Sequence, residues 1–100
     1  MTALLGEGWS AVRECLREKM EAVRPQTVDY DYEYGPFEGN PHACLCPRCL
    51  EAFRQYAKLP PAENLGGKII AKRHRDAWVD FMARRVARMF GMFRRTIREL

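Results

Sequence analysis

The sequence predicts an α/β chain: a partial (β/α)8 barrel segment, mostly helical with one clear strand, in the order helix, strand, loop, helix, helix. Three observations predict it. Val28, Tyr30, Tyr32 and Tyr34 alternate strictly with Asp29, Asp31 and Glu33, which is the period of a strand. Apolar residues before and after that strand recur every third or fourth position, which is the period of helices. A lone strand cannot satisfy its own backbone donors and acceptors, so it calls for partner strands outside these 100 residues.

The single segment 1–100 divides as follows. Residues 1–25 form a helical stretch, with the helix proper over Trp9 to Arg24. Ser10 is placed to cap it, Val12, Leu16, Met20 and Val23 make its apolar stripe, and Pro25 ends it. Gln26 to Tyr34 is the strand. Residues 35–49 form a metal loop, opened by Gly35, Pro36, Gly39, Asn40 and Pro41. Pro47 suits the first turn of a second helix over 47–58, whose stripe is Leu50, Phe53 and Tyr56 or Ala57. Pro60 and Pro61 close it, and Asn64 to Gly67 connect onward. One long helix is expected over 68–100, with Trp78, Phe81, Met82, Met89, Phe90, Phe93, Ile97 and Leu100 on its apolar stripe and a bend at Gly91.

Composition excludes several classes. At 47% hydrophobic and 30% charged the chain is globular rather than disordered. No apolar run approaches the roughly 20 residues of a membrane span. The first nine residues lack a basic n-region and a long apolar h-region, so no secretion signal is read and a cytoplasmic location is expected. The net charge is +4, and Lys68 to Arg98 carries ten Lys or Arg against two Asp. These charges interleave with apolar residues at helical spacing, so they read as the solvated face of a helix and argue against nucleic acid as the partner. Three of the four cysteines fall within six residues, a spacing that suits a metal better than a disulfide framework and points to a reducing compartment.

Two groups of residues carry chemistry. If the strand belongs to a barrel, Asp29, Asp31 and Glu33 point inward, with Glu33 nearest the mouth where barrel enzymes work. Same-face neighbours lie about 7 Å apart, so ionising one carboxylate raises the pKa of the next. A Glu held protonated near neutral pH suits a general acid for glycoside cleavage. The same alternation also fits an edge strand whose acidic face meets water. The second group is Cys44-Leu-Cys46-Pro-Arg-Cys49, three soft ligands for a structural zinc, which takes four. His42, two residues earlier, is the candidate fourth. Cys15 reads as a core cysteine and His74 as a solvated surface residue. No nucleophile–histidine arrangement and no glycine-rich phosphate loop is present.

Asp31-Tyr-Glu33-Tyr-Gly35, followed by Cys44-Leu-Cys46-Pro-Arg-Cys49-Leu-Glu-Ala-Phe53-Arg54, resembles the family-42 β-galactosidases and related barrel hydrolases over about residues 27 to 57. The resemblance implies a fragment running from the third helix through the fourth strand and its helices. It implies Glu33 as the acid/base and Cys44, Cys46 and Cys49 as zinc ligands. Tyr32 stands where the family has an Asn before that Glu, and the nucleophile Glu would come from a later strand. Asp29-x-Asp31-x-Glu33 also resembles the end of the family-18 chitinase motif, with Gln26 at the place of its first Asp. Both resemblances select Glu33. On this reading Asp31 tunes Glu33, while Tyr34, Phe37 and Glu38 line a sugar site. The parent protein hydrolyses a carbohydrate, and this chain alone, lacking the second carboxylate, is inactive. Two other expectations stand beside it. One is a small zinc-stabilised binding module whose basic helix contacts nucleic acid. The other is a noncatalytic helical piece whose stripe from Trp78 to Leu100 joins a second copy or the rest of a barrel.

Overall fold

The apolar periodicity around the expected strand does produce helices, and they pack on one another rather than on a sheet. The computed structural model describes residues 5–29 and 44–100. Four helices are described: α1 (Trp9–Val23), α2 (Pro47–Ala57), α3 (Gly67–Arg73) and α4 (Arg75–Glu99). Among the described residues there is no β-strand, no sheet and no barrel, so the expected α/β barrel segment is overturned. Residues 26–29 run without a ladder, and Val28 and Asp29 face solvent. No neighbouring strand is described there to take up their backbone groups, and without one the alternation has no sheet to join. Residues 30–34 lie outside the described residues.

α1 starts at Trp9, where its sequence suggested, but with a different cap. Gly8, not Ser10, is the N-cap, and the Ser10 hydroxyl donates to the Glu7 carbonyl at 3.3 Å from inside the first turn. The helix ends at Val23 because Pro25 disfavours helical backbone at Arg24. Arg24 turns left-handed (φ 51°, ψ 56°) and returns its N–H to the Met20 carbonyl at 2.8 Å. α2 begins as expected, with Pro47 in its first turn, where a missing N–H costs nothing. Lys58, at φ 55°, terminates it just before Pro60 and Pro61.

The long C-terminal helix is broken once, at His74 (φ −130°, ψ 25°). The His74 N–H caps α3 on the Ile70 carbonyl at 2.8 Å, and its carbonyl accepts from Trp78 N–H at 2.9 Å to start α4. Its imidazole Nε2 lies 2.7 Å from a Glu63 carboxylate oxygen, which ties the 58–66 connector to the break. α4 then runs unbroken through Gly91.

The core sits where α2, α3 and the first half of α4 meet. Phe53, Leu65, Ile70, Trp78, Phe81 and Met82 are buried together. Phe53 is fully enclosed and meets the Trp78 ring edge-on, with centroids 5.0 Å apart and an interplanar angle of 86°. Aromatic pairs in this arrangement contribute beyond their buried area, about 0.5–1.5 kcal/mol each. α1 buries no residue completely. It lies along the second half of α4, held by the Trp9 indole N–H donating to Thr96 Oγ1 at 3.1 Å and by Arg13 pairing with Glu99 at 2.8 Å. Among the described residues no helix is long and apolar enough to cross a membrane.

Candidate metal centre

Cys44, Cys46 and Cys49 converge because two come from the loop before α2 and one from its first turn. Cys46 is the N-cap of α2, with extended backbone (φ −67°, ψ 160°) and its carbonyl accepting the Leu50 N–H at 3.0 Å. Capping fixes where the chain enters the helix. Cys49 follows three residues on, on the same face as Phe53 one turn later, and is buried at 1% exposure. Cys44 is half-buried and Cys46 exposed, so the cluster lies at the edge of the core with one side open.

The three sulfurs all lie within 4.8 Å of one another. Cys49 donates to the Cys44 sulfur at 3.2 Å, and Cys44 to the Cys46 sulfur at 3.4 Å. None of the four cysteines is in a disulfide. Burial pushes the Cys44 thiol up from its ordinary value of 9.0, and its contacts with the Cys49 and Cys46 thiols add to this, while the Cys46 backbone works against it. A cation among the sulfurs reverses that balance, because its charge favours the thiolate. The helix N-terminus immediately behind them favours thiolates too. Three soft donors of this kind fit a thiophilic metal ion. Structural zinc takes four ligands, and the described residues supply three.

One further contact braces the site. Arg48, between two of the cysteines, pairs with Glu7 at 2.6 Å, and its guanidinium holds the Glu7 carboxyl below the usual carboxylate range. The turn before α1 is thereby attached to the first turn of α2. Local spacing could not reveal this, since the partners are far apart in sequence.

The other expected site residues divide in two. Asp31, Glu33, Tyr34, Phe37, Glu38 and His42 lie outside the described residues. Cys15, expected in the core, is exposed on α1 and takes no part in the cluster. α1 buries only a shallow stripe, and Cys15 falls beside it. His74, expected on the surface, is largely shielded between Glu63 and Phe53, with ring centroids 6.4 Å apart on the Phe53 side.

Comparison with known protein families, with curated proteins and with solved structures finds no match.

Proposed function

We propose that this chain is a small helical module that binds zinc through Cys44, Cys46 and Cys49, and that the metal's role is structural. The observation that carries the reading is the convergence of the three sulfurs within 4.8 Å at the N-terminus of α2. Zinc is favoured because it accepts thiolate ligands without a redox change and needs no particular geometry beyond four donors. His42 is the candidate fourth ligand, two residues before Cys44. Bound there, the ion would tie the 44–46 segment to α2, one turn from Phe53, and so couple the loop to the core. The hydrolase reading rests on Glu33 and Asp31, outside the described residues, whereas the described geometry supports metal binding.

The test uses cobalt(II) as a visible stand-in for zinc. Titration of the metal-free chain should give the intense absorption of thiolate-to-cobalt charge transfer, saturating at about one ion per chain and displaced by zinc. Cys46→Ser, which changes an exposed side chain, should weaken that band. A spectrum of hydrated, octahedral cobalt with no thiolate band would overturn the proposal.

A further inference from the structure

The same cluster has the geometry of an oxidation site. We propose that Cys44 and Cys49 form a reversible disulfide when the chain meets a peroxide, and that this oxidation releases the bound metal. The pairing follows from the described thiols alone; only the metal release rests on the zinc reading above.

Three features select Cys44 and Cys49. Their sulfurs are 3.2 Å apart, closer than the 3.4 Å between Cys44 and Cys46, so closure to a bond of about 2.0 Å needs little movement. Cys44 lies in the loop ahead of α2, outside regular structure, whereas Cys49 is fixed in the first turn of the helix. The loop can therefore move to the helix. Cys46, in contrast, has its backbone held in the N-cap, its carbonyl bonded to Leu50 N–H at 3.0 Å. Joining Cys44 to Cys46, 3.4 Å away, would bridge positions separated by one residue across that fixed backbone. Joining Cys44 to Cys49 leaves the cap and the first turn intact.

The chemistry balances without another cofactor. The Cys44 thiolate attacks one oxygen of hydrogen peroxide, the O–O bond breaks, and hydroxide leaves and is protonated to water. Cys44 is then a sulfenic acid. The Cys49 thiolate attacks the Cys44 sulfur, the S–S bond forms, the S–O bond breaks, and a second hydroxide leaves as water. Two sulfurs lose two electrons and one peroxide becomes two waters. Two of the three thiolate ligands are consumed, so the ion is released. A thiol reductant restores both.

The experiment treats metal-free and zinc-loaded chain with hydrogen peroxide, blocks remaining thiols by alkylation, and maps disulfides by mass spectrometry without reduction. Trypsin cuts after Arg48, which separates Cys49 from the peptide carrying Cys44 and Cys46. The expected product is a cross-linked peptide pair in which Cys46 is alkylated and Cys44 is not. Dithiothreitol should reverse it. In the zinc-loaded sample, a chromophoric chelator should record release of zinc in step with the disulfide. Cys46→Ser should retain the cross-link and Cys44→Ser should lose it. A dominant Cys46–Cys49 or Cys44–Cys46 bridge, or sulfinic acid with no bridge, would overturn the inference. The metal-free arm reports on the pairing whatever the fate of the zinc proposal, because zinc content is read before oxidant is added.

Discussion

Phe53 is the residue on which the core depends. It is fully enclosed, it meets Trp78 and Phe81 at centroid distances of 5.0 and 5.4 Å, and it lies one turn after Cys49. Phe53→Ala should cost about 3–5 kcal/mol, from lost burial plus the cavity left behind. Urea denaturation would measure it, and a cost below about 1 kcal/mol would mean the core does not close around this ring. Cys44 gives a second prediction at this scale. In the metal-free chain its thiol is pushed above 9.0 by burial, so its contribution to folding is present below pH 9.0 and lost as pH rises through the higher folded-state value. The metal-free chain should therefore lose stability on the alkaline side, and Cys44→Ser should flatten that limb in pH-dependent melts. Phe53 and the three clustered cysteines were legible in the sequence because their signals are local: an apolar residue at helical spacing and three thiols within six residues. The shielding of His74 was not, because its partner Glu63 lies in the connector on the far side of α3, where no periodicity describes the chain.

The helices themselves follow from apolar spacing and from where proline stands. Pro25 and Pro47 mark the end of α1 and the start of α2 within a residue or two. The break between α3 and α4 escaped the pattern because no proline or glycine marks it within Lys72-Arg-His-Arg75, and the pairing of His74 with Glu63 at the break is not local. Gly91 lies inside an unbroken helix, and a Cβ added there meets nothing within 4 Å. Gly91→Ala should stabilise the chain by about 0.5–1 kcal/mol, since alanine gives up less backbone freedom on folding. A thermal melt tests this, and a lower midpoint for the variant would contradict it. The strand from Gln26 was the largest misreading. Alternation alone describes a face, and only a neighbouring strand makes that face part of a sheet.

At the scale of the molecule, two regions of different character share α4. Its first half carries the aromatic core with α2 and α3, and its second half carries α1 through polar contacts and a shallow apolar stripe. The outline is elongated, 49 × 23 × 18 Å, and the radius of gyration of 15.9 Å exceeds the roughly 13 Å of a compact chain of this length. α1 is therefore the element that should open first. Trp9→Phe removes the donor to Thr96 Oγ1, a buried residue's oxygen, and should cost about 1 kcal/mol. Hydrogen exchange should show faster amides in α1 with little change in α2. Equal acceleration in both helices would mean that they open as one unit.

The cysteine cluster lies between the loop before α2 and this core, and zinc content is the measurement that tests the zinc proposal most directly. The chain is purified from cells given zinc, dialysed, and its metal counted against protein, with Cys44→Ser, Cys46→Ser and Cys49→Ser purified alongside. The zinc proposal predicts about one zinc per chain, lost or much reduced in each variant. A chain that is folded by circular dichroism yet carries no zinc, or one whose zinc is indifferent to all three substitutions, would contradict it.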